Sequence, residues 1–441
     1  MKKGVIALLL TLALIILVSP GIIGKLAERS VNKNLEWAAT KSGQLVVTSS
    51  GFDRGWFSSE GQHRVALADG AIRAAMISEG EDIPVLVINT HLDHGLVPLA
   101  SMAREGGSLA PGLGSAVSTL SIEYGEDHTF EIPGKIYSDI GLGGDLQSSY
   151  VLSAGSKTTD GKTATWENVR ISISTNPRNG SVTFDGDIGA LSFEDDQEVI
   201  SFGGLTFMGK QTMTQYGFAT GHAEAALGAV AVETDGVPTA VMNGMTITTD
   251  SAVNDGLLDA NTYIQITGQT IPGFGDVSVT VNIVLAGADA VALGVVTQRL
   301  ESMSASAAPA QVIMLAGEDF KDLFAAGFEV RFDQLDVELP MGTVTSKISF
   351  EVPQTDRASF EWTSLLLGVV ASADITVPQG LVDFALQMNP QAADAIISMG
   401  YLKQKGDVYG LEAHYKKGLL TVNGVPIPIP LGALFTDLYI D

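Results

Sequence analysis

Along much of the chain, apolar and polar residues alternate with a period of two. Val182, Phe184 and Ile188 share one side, with Thr183, Asp185 and Asp187 on the other. The same alternation puts Val277, Val279, Val281 and Ile283 against Ser278, Thr280 and Asn282, and Phe328, Val330 and Phe332 against Glu329 and Arg331. It returns at Ile348, Phe350 and Val352. One apolar and one polar face per strand predicts antiparallel sheet with one side wet. Asp235-Gly236, Asp255-Gly256 and Asn423-Gly424 are turn signals of the kind that join such strands, because both residues tolerate positive φ. Lys417-Gly418 makes a further turn between a strand carrying Tyr409, Leu411, Ala413 and Tyr415 and a return strand from Leu419 to Val422. The strand-turn-strand theme recurs from about Trp166 to Val284 without a fixed period.

Helical spacing interrupts this pattern in a few places. Ala288 to Met303 brings Val291, Val295 and Val296 near Leu300, and a second helix is expected within Ala310 to Ala326. Ser364 to Ala373 suits a helix or a strand. Asn389-Pro390 sets an N-cap and a first-turn proline for a helix running to Met399 and stopping at Gly400. Ser304 to Pro309 is the best linker. The proline-rich VPIPIPLG tail cannot be a central strand.

The start of the chain follows a different rule. Lys2 and Lys3 precede an uncharged run from Gly4 to Gly24. As a helix it would cover about 30 Å, one hydrocarbon thickness. Ser19 and Gly21 are placed like a cleavage site, but Pro20 lies between them, and Ile22 and Ile23 carry the apolar run past it. A retained anchor is therefore expected, with export after signal cleavage as the alternative. The two lysines favour a cytoplasmic N-terminus. From Ile23 to Thr40, Leu26, Val31, Leu35 and Ala38 recur at helical offsets with Glu28, Arg29, Lys33 and Asn34 on other faces, which predicts a short amphipathic stalk.

The fold expected is mainly β with some α (α+β): extended antiparallel, twisted sheet or sheets with a few packed helices behind an N-terminal transmembrane helix. The segments are an anchor or signal (1–24), a stalk helix (25–43), a mainly β region (44–303) and a mixed α/β region ending in a helix and hairpin (310–441).

Composition narrows the function. With 50 acidic against 25 basic residues, net charge −25, the chain lacks the basic footprint a phosphate backbone requires, so nucleic acid is not an expected partner. It has no cysteine, which excludes disulfides, thiol catalysis and cysteine zinc sites. Glycine, 49 of 441 residues, suits many turns.

The tests for chemistry are weak. Gly204 to Lys210 (GLTFMGK) is one residue short of a phosphate-binding loop, and Gln211 stands where a magnesium-holding hydroxyl belongs. His91, Asp93 and His94 are close in sequence, but His63, His128, His222 and His414 are scattered, and zinc needs three or four ligands. Ser58 and Ser59 have no base at a predictable spacing. Asp250 to Asp259 lacks the calcium-loop pattern. Asn179-Gly180-Ser181 matches a glycosylation sequon. Trp56-Phe57 and Trp362 are expected to pack in the core.

Three motifs do carry a resemblance. FDRGWFSSEG after the membrane segment, then HLDHGLVPLA, then GYLKQKGDVYGLEAHYKKGLLTVNGVPIP resemble the bacterial DUF945 family. The family elements fall on Arg54, Gly55, Phe57 and Ser58, on His94, Gly95 and Pro98, and on Gly400, Asn423 and Gly424. Leu96 stands where the family usually has proline. The resemblance implies a single-pass inner-membrane protein of Gram-negative bacteria with a periplasmic domain, and it implies no known catalytic residues. The expectation is a non-enzymatic envelope protein without metal or cofactor. Either its apolar sheet face takes a lipid or another amphiphile, or the sheet is a scaffold that binds itself or an envelope protein.

Overall fold

The computed structural model describes residues 25–33, 35, 45–68, 71–79, 82–95, 111–125, 128–159, 161–195, 197–271, 275–301 and 309–427. The expected anchor, residues 304–308 of the expected linker, and Pro98 lie outside them, while Pro309, expected to end the linker, begins a helix. Among the described residues, no helix is long and apolar enough to cross a membrane.

Residues 25–33 form a helix, α1. A meander follows: β1 (Leu45–Arg54), β2 (Ser58–Leu67), a helix α2 (Ala71–Glu79), β3 (Val85–His94), β4 (Gly114–Tyr124) and β5 (His128–Ile140). The next strands are bent. β6 (Leu146–Leu152) continues past Ser153-Ala154 as β7 (Gly155–Thr159), and the chain returns as β8 (Lys162–Trp166) and β9 (Val169–Asn176). The pattern repeats with β10 (Ser181–Ile188), β11 (Leu191–Glu194), β12 (Glu198–Phe202) and β13 (Leu205–Met213). It repeats again with β14 (Ala219–Leu227), β15 (Val230–Thr234), β16 (Val237–Met242) and β17 (Gly244–Asn254).

The long strands β18 (Leu257–Ile271) and β19 (Gly275–Asp289) lead to the helices α3 (Ala290–Glu301) and α4 (Pro309–Ala326). Then come β20 (Phe328–Leu339), β21 (Gly342–Val352), α5 (Trp362–Gly368), β22 (Val370–Pro378), α6 (Gln379–Met388) and α7 (Pro390–Ser398). β23 (Lys403–Lys405), β24 (Val408–Lys416), β25 (Leu419–Val422) and β26 (Val425–Ile427) close the described chain.

These strands build one antiparallel sheet of 20 strands and a second of six, the latter made from the bent-over ends β7, β8, β11, β12, β15 and β16. The large sheet is a near-continuous meander. The pairing of β19 with β20 carries it across the 303/310 boundary. All four predicted turns are present, with positive φ at Asp235, Asp255, Lys417 and Asn423 and at the glycine after each. Gly256 has φ +82, and a Cβ there would make only an ordinary contact with Tyr216 Oη at 4.0 Å, so Gly256→Ala meets little beyond the left-handed backbone penalty. That substitution is expected to cost about 1 kcal/mol in urea unfolding.

The six-stranded sheet depends on a crease. At two-residue breaks the backbones approach closely but stay bonded: Gly203 N donates to Ala229 O at 2.6 Å and Gly228 N to Gly204 O at 2.8 Å. A Cβ on Gly228 would lie 2.4 Å from Gly203 O, so only glycine fits. Across several of the breaks the apolar positions are three apart instead of two, as at Ile188 and Leu191 or Leu227 and Val230. The GLTFMGK segment begins at this crease and then runs as β13, a strand and not a phosphate loop.

Strand register places one row of residues on a single face of the large sheet. It runs from Arg54 through Ser59, Leu92 and Ala116 to Ser138, Ser148, Ile173 and Phe184. It continues through Gly209, Ala223, Thr249, Thr262 and Ile283 to Phe332 and Ile348. Helix α1 packs on this face at the start of the sheet, where Ala27 and Val31 join Leu92, Leu113, Ala116 and Ile140 in a buried cluster. Further along the same margin, a second cluster gathers Ala292, Val296 and Leu323 of α3 and α4 on Leu258 and Ala288. Burying each large apolar side chain of this kind contributes roughly 1.5–3 kcal/mol. Helices thus flank one margin of the face, and the second sheet folds over from the other.

Candidate functional site

Two features stand out, a polar lock at the start of the sheet and the apolar face beyond it.

The lock centres on Glu28. Positions 27, 28, 30 and 31 of α1 are buried, so the segment expected as a stalk is docked on the sheet over its described part. Ser30 Oγ donates to Gly144 O at 3.0 Å and ties α1 to the β5–β6 turn. Arg54 Nε donates to Glu28 Oε1 at 2.7 Å, and its Nη2 donates to Oε2. Ser59 Oγ donates to Glu28 Oε1 at 2.7 Å. His94 Nε2 lies 3.0 Å from the same Ser59 oxygen. Glu28, Ser59 and His94 are all buried, while the Arg54 side chain is 36% exposed. Burial pushes the Glu28 carboxyl up, but hydrogen bonds from Arg54 and Ser59, with the nearby charges of Arg54 and His94, hold it below its ordinary range.

Proton counting fixes what this arrangement does. The single hydroxyl proton of Ser59 goes to Glu28, so Nε2 of His94 carries its own proton and donates it to Ser59. A histidine that donates to a serine cannot withdraw that serine's proton, and here the carboxylate orients the serine and not the imidazole, unlike a hydrolytic triad. The network pairs buried polar groups and clips α1 to β1, β2 and β3.

Of the first two motifs, Arg54 and His94 enter the lock. Gly55 N donates to Ser58 O at 2.7 Å to close the β1–β2 turn, and His94 N donates to Phe57 O at 2.9 Å. Gly95, at φ +137, donates through its N to Leu113 O at 3.2 Å. Ser58 opens β2 and pairs with Asp93, so the serine turned into the lock is its neighbour Ser59. The helical spacing put Leu26 in the apolar stripe and Glu28 on a polar face; the structure instead exposes Leu26 and buries Glu28, because Arg54 and Ser59 satisfy the carboxylate against the sheet.

The third motif forms a separate staple. Asn423 Nδ2 reaches the carbonyls of Gly400, Tyr401 and Gly410 at 3.0–3.2 Å, and its Oδ1 accepts from Glu412 N at 3.0 Å. This joins the end of α7, capped by Gly400 at φ +76, to the β24 hairpin, where Gly424 completes the turn.

Other candidates separate. His91 and Asp93 share one side of β3 and lie 3.3 Å apart, whereas His94 faces the other side. Among the described residues no group of histidine and acidic side chains could hold a metal ion. Asp250 to Asp259 forms the β17–β18 hairpin. Asn179 Oδ1 accepts from Ser181 N and Oγ within a tight turn. The expected core aromatics are instead partly outside. Trp56 and Phe57 are exposed at the β1–β2 tip, and Trp362 is exposed while its ring meets Phe324 and Phe360 edge-on. A tight turn has no inward side to hide its tip residues, and Trp362 opens a short helix of seven residues.

The second feature is the apolar face between the two margins. None of Ile171, Ile173, Phe184, Phe207, Ile247, Ile264, Val281, Ile283, Phe332, Ile348 and Phe350 is buried, although all lie on the side that α1, α3 and α4 cover elsewhere. At the crease this face meets the apolar side of the second sheet. Phe130, Leu152, Trp166, Leu191, Phe193 and Ile200 line a groove of about 1080 Å³. Lys157 stands 5.4 Å over the Phe130 ring, and Lys162, Glu131, Glu194 and Glu198 stand at the rim.

Together these describe an all-antiparallel meander with a clipped N-terminal helix and one apolar face left partly uncovered. The chain belongs to the family of bacterial proteins of unknown function DUF945, whose model matches residues 1–430. No curated protein and no solved structure matches it.

Proposed function

We propose that the chain is a non-enzymatic, membrane-anchored envelope protein with its body in the periplasm, and that it holds a lipid or another amphiphile against the apolar sheet face. The observation that carries the reading is the row of half-buried aliphatic and aromatic side chains, with Ile173 and Phe350 exposed, running from β9 to β21 into the crease groove. Apolar area left in water forfeits about 25 cal/mol per Å², and soluble monomers rarely expose contiguous patches beyond a few hundred Å². An acyl chain laid along the row recovers that energy, while charged groups at the groove rim face a headgroup. The leader from Gly4 to Gly24 supplies the anchor and the short reach to membrane lipid.

Native mass spectrometry of the detergent-extracted protein, followed by lipid extraction, tests this. A copurifying lipid is expected. Phe193→Asp places a charge at a half-exposed groove position, so the fold is expected to survive and the lipid signal to fall. A stoichiometric protein partner or second copy with no lipid would replace this reading with the scaffold one.

A further inference from the structure

We infer that the margin around α1 is a bilayer-docking rim, seated on the surface of an anionic phospholipid membrane. This inference rests on the anchored reading above and adds the contact surface itself.

Three separate elements bring large exposed apolar side chains to the same end of the sheet. The β1–β2 tip carries Trp56, 57% exposed, and Phe57. The β5–β6 turn carries Leu142, 59% exposed. The first turn of α1 carries Leu26, also exposed. The lock and the Ser30–Gly144 bond hold these elements to one another, because Glu28 binds Arg54 one residue before the tip and Ser30 binds the turn that holds Leu142.

Residue 25 is also where the uncharged leader ends, so the chain enters the sheet at this margin. Tryptophan, with its apolar ring and polar N–H, concentrates at membrane–water interfaces. Charge agrees with the assignment. Lys25, Arg29 and Lys33 recur every four residues on the exposed side of α1, a basic stripe in a chain with twice as many acids as bases. Such a stripe beside a membrane segment is drawn to anionic headgroups, whereas the remaining acidic surface is repelled by them.

The absence of native cysteine allows a direct test. Trp56→Cys, Leu142→Cys and, as a separate reporter in the groove, Phe193→Cys are made in the full chain, spin-labelled and reconstituted into liposomes of mixed zwitterionic and anionic phospholipid. Labels at 56 and 142 are expected to become more accessible to dissolved oxygen and less accessible to a water-soluble nickel complex than in liposomes of zwitterionic phospholipid alone. Converting Lys25, Arg29 and Lys33 together to glutamate is expected to reverse that shift. Labels at 56 and 142 that stay fully accessible to nickel in well-incorporated protein would overturn the rim. Spin–spin broadening between copies would assign the patch to self-association and overturn it as well. Failure of the chain to enter the liposomes would instead sink the anchor, and position 193 reports on the groove independently of both.

Discussion

Glu28→Ala is expected to destabilise the protein by about 3 kcal/mol, at the lower end for a broken buried ion pair because Arg54 keeps access to water. The loss has several sources. The guanidinium loses its bidentate acceptor, Ser59 loses its acceptor, and the buried His94–Ser59 pair is left without a charge to organise it. The damage should begin locally. Amide exchange over 25–33 should rise well above wild type before the sheet unfolds, since Glu28 supplies the polar tie between α1 and three strands. Glu28→Gln keeps an acceptor for Ser59 and should fall between the two.

Acid should reproduce the effect. The carboxyl of Glu28 is held below its ordinary value of 4.5, so its contribution is complete above that pH and fades as pH falls through the lower folded value. His63 adds to the slope. Burial pushes its imidazole below the ordinary 6.5, so the unfolded chain takes up the proton first and stability begins to decline below about that pH. Glu28→Gln should flatten only the more acidic part of the profile. Unfolding free energies from urea titration for both variants within roughly 0.5 kcal/mol of wild type, the range of ordinary surface changes, would rule out the lock as a source of stability.

The second large effect belongs to the crease. Gly228→Ala introduces a methyl 2.4 Å from the backbone oxygen of Gly203, and no rotamer can relieve a clash with main chain. The strands must shift apart, and the bonds joining β12–β13 to β14–β15 across the crease are expected to break, at a cost of about 3 kcal/mol or more. Because the six-stranded sheet exists only through these bends, the variant should also lose the groove. The measurement is urea unfolding together with lipid retention. A variant that unfolds like wild type and retains lipid equally would show that the bend is not what shapes the groove.

Much of the sheet was legible because strand alternation is a local property. The apolar rows at 181–188, 277–283, 328–332 and 348–352 lie in strands, and the four turns sit where glycine follows a residue able to take positive φ. The asparagine-proline start and glycine stop of α7 were legible for the same reason. The crease was not, since a shift from two to three in apolar spacing looks like a loop until neighbouring strands show it in step. Helices α2 and α6 were missed. In α6, Leu381, Val382, Phe384 and Ala385 satisfy either period over so short a run. Residues 364–373, open to two readings, divide into the end of α5 and the start of β22. The lock could not be read at all, because Glu28 stands 26 to 66 positions before Arg54, Ser59 and His94 and meets them only once α1 docks on the paired strands.

The order of pairing bears on how such a chain is made. Almost every strand of the large sheet binds the one just before it or one separated from it by a single bent-over hairpin. On the exported reading proposed above, a polypeptide whose body emerges from its N-terminal side could therefore zip up in the sequence in which it appears, without waiting for distant partners. The apolar cluster that seats α1 reaches no further along the chain than Leu146, so α1 would be fastened to the nascent sheet while most of the protein had still to fold.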